Sequence, residues 1–347
     1  MTLDLPIRFA IVGCGAVSKK HVTALKSLSG VEITSVCDVN PSAAQHAAEE
    51  LGVPWFTDPQ EMLNVVSCDV ISILTPTGDH PDTVCALALF GKPMVVEKPM
   101  ALKISDADRM IDKCQQYGCQ LFVVKQNRFN PPITLLKNTI DSGRFGKLVM
   151  GSVRVWWSRS QKYYDAGSWR GTLQHDGGVL ANQAAHHIDM LIWLMGDVES
   201  VSATTASRLA NIEAEDTAAA VMRFKNGAIG VIEATTGTRP KDIEGSIAIL
   251  GEHGNAEVGG FFMNELKRWE FSQERDSDTQ AFSEFGCVPK IPAWNLSRYL
   301  EHVVDCVKQG SPALVDGAEG RKTTQLVNAI WESAKTGQTV KLSEVSP

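Results

Sequence analysis

The chain has 347 residues, 44% hydrophobic and 21% charged, which suits two domains with sizeable cores. Its formal net charge of −7 sets the molecule against nucleic acid and anionic membrane surfaces as partners. No apolar run approaches the roughly 20 residues needed to span a bilayer.

The opening residues, Met1-Thr2-Leu3-Asp4-Leu5-Pro6, lack the basic start of a signal peptide. The eight cysteines (Cys14, Cys37, Cys68, Cys85, Cys114, Cys119, Cys287 and Cys306) form no CxxC pair and no Cys/His cluster. Reduced thiols in a cytoplasmic protein that holds no metal are therefore expected.

Ile7–Val12 reads as a strand and runs into Gly13-Cys14-Gly15-Ala16-Val17-Ser18, with a helix following through His21–Leu28. In such a turn the first glycine allows the sharp bend, the second lets the backbone approach a pyrophosphate, and a small third residue lets helix and strand pack. A second strand, Val31–Cys37, ends in Asp38, 25 positions after Gly13. An acid at that spacing accepts from both ribose hydroxyls and repels a 2′-phosphate, so NAD is expected over NADP.

The alternation continues with a helix over Pro41–Leu51 and a buried strand, Asp69–Leu74, ending in Thr75-Pro76-Thr77. A helix over Pro81–Phe90 leads to the strand Pro93–Val96, then to a helix over Ser105–Tyr117 capped by Ser105, then to the strand Gln120–Val124. Strands alternating with helices of this length predict a doubly wound parallel sheet over residues 1–127. Glu97-Lys98-Pro99 follows Val96 directly, at the carboxyl edge of that sheet, where such folds bind ligands.

From residue 128 the pattern changes. After one amphipathic helix, Ile133–Asp141, come Leu148–Trp157, Val198–Ser207, Asp216–Phe224, Ala228–Thr235, Ser246–Leu250 and Ala256–Gly260, all strand-like. Lys225-Asn226-Gly227 reads as a hairpin turn. Residues 128–347 are thus expected to form a mostly antiparallel open sheet, an α+β domain closed by helices over Trp294–Lys308 and Gly317–Lys335.

Between Lys125 and Arg170 nine basic residues face only two acids, Asp141 and Asp165. Trp156, Trp157, Tyr163, Tyr164 and Trp169 are interleaved with them, so an anionic ligand carrying a sugar or a base is expected there. Farther on, Asp176-Gly177-Gly178 releases the chain into a helix ending near Met195. Ala184, Ile188, Leu191 and Met195 make its core stripe. Asn182, His186, Asp189 and Trp193 fall on another face, and His187 is turned about 100° away beside Gln183. The spacing therefore places His186, not His187, in a polar row with a partner on either side.

The turn Gly13–His21, the Glu97-Lys98-Pro99 triplet and the stretch Asn182–Asp189 together resemble the Gfo/Idh/MocA oxidoreductases. The likeness is to their WlbA-type dehydrogenases in particular, carried by Val123–Asn130, Tyr163–Gly171, Glu213–Thr217 and Glu244–Gly251. This resemblance implies a Rossmann domain holding NAD(H), and oxidation at C3 of a nucleotide sugar such as UDP-N-acetylglucosaminuronic acid. It also implies a dimer or tetramer formed through the open sheet face. Many members carry Asp where Asn182 stands, so Asn182 is assigned to substrate.

His186 is then expected as general base and Lys98 as the group that stabilises the developing alkoxide. Lys98, Lys125, Asn127, Arg128, Tyr163, Arg170, Asn182 and His186 are expected around the substrate. Gly13, Cys14, Gly15, Ala16, Val17, Asp38, Thr75, Thr77, His80, Glu97, Lys98, Gln126, Trp169 and Arg170 are expected along the cofactor. The competing readings are an inositol or other polyol dehydrogenase, a deoxysugar 3-ketoreductase, and an NAD-binding sensor or co-repressor. The presence of both Lys98 and His186 favours an enzyme.

Overall fold

The computed structural model describes residues 5–286 and 294–344. Cys287 lies outside them, and the other seven cysteines are free thiols. In chain order the first elements are β1 (Ile7–Val12), α1 (Ala16–Lys26), β2 (Val31–Cys37), α2 (Pro41–Leu51), β3 (Trp55–Phe56) and α3 (Pro59–Val65). Then follow β4 (Val70–Ile73), α4 (His80–Leu87), β5 (Met94–Val96), α5 (Ile104–Gln116), β6 (Leu121–Val123) and α6 (Pro131–Asp141). Next come β7 (Leu148–Trp156), α7 (Gln161–Asp165), α8 (Ala185–Met195), β8 (Val198–Ala206), β9 (Thr217–Phe224) and β10 (Ile229–Thr235). The chain closes with β11 (Glu244–Gly251), β12 (Gly254–Gly259), β13 (Glu265–Phe271), α9 (Asp276–Phe285), α10 (Trp294–Gln309), α11 (Gly317–Thr336) and β14 (Val340–Lys341). No described helix is long and apolar enough to cross a membrane.

Two compact units result, Met1–Gln126 with Pro292–Arg321, and Asn127–Ile291 with Lys322–Pro347. The sequence placed one cut after residue 127. The structure instead gives the first unit a late segment, because Val123 N–H donates to Val315 O (3.0 Å) and Phe122 bridges to Asp316.

In the first unit all strands are parallel, in the order β3-β2-β1-β4-β5-β6. Ala10, Ile71, Ile73, Met94 and Val96 are fully buried, as helices on both faces of such a sheet require. Asn40 caps α2 by accepting from Ser42 N–H, and Asp58 caps α3 by accepting from Gln60 and Glu61 N–H. Ser105 caps nothing. Helix α5 starts at Ile104, one residue before it, with Lys103 at the cap position and no side-chain bond there.

In the second unit the order is β13-β12-β11-β7-β10-β9-β8-β14, antiparallel except for the β7–β10 pair. Strand β9 alternates cleanly, with Ala218, Ala220, Met222 and Phe224 inward. Against the inner face lies α8, in which only His186 and Trp193 are not buried.

Candidate active site

The glycine turn ends β1. Gly13 holds φ +101°, and a Cβ there would lie 2.7 Å from the carbonyl carbon and oxygen of Leu74. Only glycine lets β1 and β4 approach this closely. A Cβ on Gly15 would meet nothing within 4 Å, so the turn is open on its outer side. Helix α1 begins there with no side-chain cap, leaving its first N–H groups for an anion.

Asp38, at the end of β2, accepts from Cys14 N–H (2.7 Å) on one oxygen and from Asn40 N–H (2.9 Å) on the other. Each oxygen keeps a lone pair for a ribose hydroxyl. The hydroxyl of Thr75 and the amide oxygen of Gln126 are buried without hydrogen-bond partners among the described residues. An uncapped helix end, an open glycine turn and two orphaned polar atoms fit a dinucleotide.

At the end of β5 the fit is tight. The Glu97 carboxylate lies 3.0 Å from His21 Nε2 and accepts the Lys98 N–H at 2.8 Å. The Lys98–Pro99 peptide is cis. His80 was expected along the cofactor, but it is 1% exposed and its ring nitrogens face Pro99 O (3.0 Å) and Thr75 O (2.9 Å). Burial holds its pKa below the usual histidine value. It braces the strand ends. Glu97 is likewise buried, Thr77 lies in a short 3₁₀ turn, and Lys98 is half-buried at the edge.

In the second unit the approach to α8 departs from the sequence reading. Val179–Gln183 forms a π turn, with Ala184 N–H donating to Val179 O at 2.8 Å, and α8 proper starts at Ala185. An extra residue in one turn rotates what precedes it by roughly 100° against a continuous α-helix. The row is therefore broken between Asn182 and His186, while His186 and Asp189 stay together on α8.

Asn182 donates from Nδ2 to Asp176 Oδ1, while Asp176 Oδ2 accepts from Gly171 N–H (2.7 Å). Asp189 pairs both its oxygens with Arg128 at 2.8 Å in a fully enclosed ion pair. Arg128, expected to touch substrate, is thus a strut of α8, its guanidinium stacked on Trp193 at 5.0 Å. His186 stands half-buried in the first turn of α8.

His187 is 1% exposed, edge-on to Trp157, and neither ring nitrogen has a hydrogen-bond partner among the described residues. Burial pushes its pKa down to about 4. Beneath the π turn, Glu215 accepts from Leu180 N–H (3.0 Å) and Trp331 Nε1–H (3.1 Å), and burial pushes its carboxyl up to about 7. Gly178, at φ +75°, admits this approach, since a Cβ there would lie 2.7 Å from the Glu215 carboxyl carbon.

The basic stretch is largely neutralised by acids distant in sequence. Arg144 pairs with Asp278, Arg154 with Glu233 and Glu244, and Arg159 with Asp242, while Lys137 pairs with Asp141. Lys125 is 1% exposed. Lys147, Lys162 and Arg170 have no carboxylate partner among the described residues.

Of these, Arg170 is held against two aromatic rings. Its guanidinium lies 4.2 Å from the Tyr163 ring centre and 5.0 Å from that of Trp169, and Arg159 stacks beside Tyr163 at 5.6 Å. The Tyr163 hydroxyl accepts from Gln183 Nε2–H (3.0 Å), and Gln183 Oε1 accepts from Arg159 Nε–H (3.2 Å). An open cleft of about 450 Å³ lies here, lined by Tyr164, Arg170, Thr172, Asn211 and Glu213 among others. Sequence reasoning gave no task to Gln183, Asp176 or Glu215, which the structure ties to the turn before α8 or to Tyr163. The signals in the sequence were the nearness of the first two to the Gly177-Gly178 turn and the place of Glu215 in the stretch Glu213–Thr217.

Comparison with family models settles the family. The model described as the oxidoreductase family's NAD-binding Rossmann fold matches residues 7–125, and that of its C-terminal alpha/beta domain matches residues 137–342. The chain belongs to the Gfo/Idh/MocA oxidoreductase family. Among solved members it is similar to the WlbA dehydrogenase of Bordetella pertussis in complex with NADH and UDP-GlcNAcA, at 40% identity and TM-score 0.90, covering 97% of this chain and 98% of that one. It is also similar to the Chromobacterium violaceum WlbA dehydrogenase in the same complex, at 38% identity and TM-score 0.91, covering 98% and 96%. The myo-inositol 2-dehydrogenase of Thermotoga maritima is 26% identical over 98% of this chain and 99% of its own. This Gfo/Idh/MocA protein is an NAD-dependent dehydrogenase of the sugar and polyol class.

Proposed function

We propose that this protein oxidises the C3 hydroxyl of an anionic nucleotide sugar, with UDP-N-acetylglucosaminuronic acid as the substrate to test first. The observation that carries this reading is Arg170, a guanidinium without a carboxylate partner, fixed against Tyr163 and Trp169 at an open cleft. Such a cation is ready for an anion. The likeness to two WlbA dehydrogenases at 38–40% identity over nearly the whole chain supports the same substrate class. Tyr163, Asn127 and Asn182 join Arg170 as substrate contacts in this reading.

NAD, when bound, supplies the acceptor for the hydride. The glycine turn and the start of α1 hold its pyrophosphate, and Asp38 takes the adenosine ribose and excludes a 2′-phosphate. Thr75, Thr77 and Gln126 lie along the same path. His186 accepts the hydroxyl proton, and Lys98 donates to the same oxygen as negative charge develops on it.

The outer face of the second unit's sheet carries Val221 and Ile229 exposed, with Met150 and Leu250 half-exposed. We infer that a second copy of the chain covers it, giving a dimer or a tetramer, which light scattering reads directly.

The function test is NADH absorbance with three donors. UDP-N-acetylglucosaminuronate should be oxidised, UDP-N-acetylglucosamine far less well, and myo-inositol not at all. Equal rates with the neutral nucleotide sugar remove the role given to Arg170. Turnover of myo-inositol alone transfers the reading to the polyol dehydrogenases, which the similarity to the Thermotoga enzyme favours.

A further inference from the structure

His21 belongs to the first sequence motif, yet nothing assigned it a task. It lies on α1, five positions after Ala16 where that helix begins, and it is 0% exposed. Its ring reaches under the sheet edge to Glu97, with Nε2 3.0 Å from Oε1. The other Glu97 oxygen accepts the backbone N–H of Lys98 at 2.8 Å, and Glu97 N–H donates to Ile73 O at 3.0 Å.

One side chain thus connects the helix that opens at the glycine turn with the residue preceding Lys98. Nδ1 of His21 is buried and has no hydrogen-bond partner among the described residues, so the ring proton belongs on Nε2, pointing at the carboxylate. His80 clamps the other side of the triplet through Pro99 O. The two histidines come from two different helices and hold either flank of Lys98. Apolar contacts do not fix a direction as a charge-assisted hydrogen bond does.

We propose that His21 is a positioning residue for Lys98: its Nε2–H locks the Glu97 carboxylate, and the carboxylate locks the Lys98 backbone in register with the glycine turn. The proposal rests on the role given above to Lys98. It predicts that loss of the Nε2–H donor disturbs the alignment of Lys98 with the reacting oxygen, not the binding of either ligand. Small misplacements of a catalytic group lower the rate of the chemical step far more than they lower affinity.

The test compares His21→Leu, His21→Gln and Lys98→Met by steady-state kinetics, NADH binding by fluorescence, and thermal melts. The sugar is the one that the wild-type protein oxidises. His21→Leu should lose roughly 10²-fold in kcat, while NADH affinity and sugar KM stay within a few-fold of wild type. His21→Gln places an amide N–H where Nε2–H stood and should recover most of the loss. A role in stability alone would lower the melting temperature of both variants and leave kcat of the folded protein intact, and that result overturns the proposal.

If His21→Leu does not fold, the wild-type imidazole decides through its 15N shifts. Protonation at Nε2 supports the assignment, and protonation at Nδ1 overturns it. Lys98→Met separates the two readings. A dead Lys98→Met beside a fully active His21→Leu removes only the positioning role. An active Lys98→Met removes the role of Lys98 and the proposal with it.

Discussion

His187 offers a stability test that depends on no substrate. Its imidazole is enclosed, with both nitrogens unpartnered among the described residues and a pKa near 4, against about 6.5 for an unfolded histidine. Replacing it with leucine removes an edge-on contact with Trp157 whose centroid distance is 5.7 Å. Such contacts contribute about 0.5–1.5 kcal/mol. It also removes two buried polar atoms that make no hydrogen bond, each of which costs about 1–3 kcal/mol. At pH 7.5 the variant should therefore exceed the wild type by at least about 0.5 kcal/mol, and by up to about 5 kcal/mol if both penalties are relieved in full.

The sign with pH follows from the depressed pKa. Below about pH 6.5 the unfolded chain takes up a proton that the folded chain refuses, so wild-type stability falls as pH falls. At 1.36 kcal/mol per unit the loss is about 2 kcal/mol at pH 5 and about 3 kcal/mol by pH 4. His187→Leu lacks this loss, so its advantage should widen by those amounts. Urea unfolding of both proteins at pH 7.5 and pH 5, followed by circular dichroism, measures it. Parallel profiles, or a variant several kcal/mol weaker at pH 7.5, would show that the imidazole has a partner and would refute the reasoning. Turnover should remain within a few-fold of wild type.

His186→Asn should lower kcat by roughly 10²–10⁴-fold with little change in KM, the range for loss of a general base, as steady-state assays would report. Asp38→Ala should narrow the preference for NAD over NADP, chiefly by relieving repulsion of the 2′-phosphate, and titration of both cofactors checks it. Glu215 has the opposite linkage to His187. Its folded pKa near 7 lies above the unfolded value, so the stability it contributes is full below about pH 4.5 and is lost as pH rises through 7. Glu215→Gln should flatten that part of the stability profile, and denaturation at pH 5 and pH 8 would reveal it.

Much of the first unit is legible in sequence because a strand buried on both faces reads as an unbroken apolar run, as Val70–Ile73 and Met94–Val96 do. Trp55–Phe56 is too short for any periodicity, and α3 betrays itself only by Asp58-Pro59 at its start. In the second unit β13 escaped because its inward residues, Leu266 and Trp269, are three apart. The register shift at Glu257/Val258 breaks the alternation by which strands are recognised.

The π turn before α8 escaped for a similar reason, since side-chain periodicity does not reveal one extra residue in a turn. The structure leaves His186 half-buried and encloses His187, and the π turn displaces Asn182 while His186, Asp189 and Trp193 keep their spacing along α8. Asp189 looked like a partner for His186 because both lie within four residues. The structure pairs Asp189 with Arg128, 61 positions away. Within the basic stretch Arg144, Arg154 and Arg159 are paired by Asp278, Glu233 and Asp242, acids that a local count of charges does not see.

The late segment of the first unit bears on how the chain must be made. Val315 joins the core beneath the parallel sheet, and Gly320 packs without a side chain against Val123 and Met100. A nascent chain that has emerged only to Gln126 has every strand of that sheet but not its last backbone partner, Val315, nor α10 beside α1. The strand β6 then remains a bare edge, the state most open to pairing with another chain. Roughly 190 further residues, about 10–40 s at the usual rate of synthesis, must follow before that edge is covered. An amino-terminal fragment cut at the apparent domain boundary should therefore aggregate, and fusing 292–321 to its end should cure it.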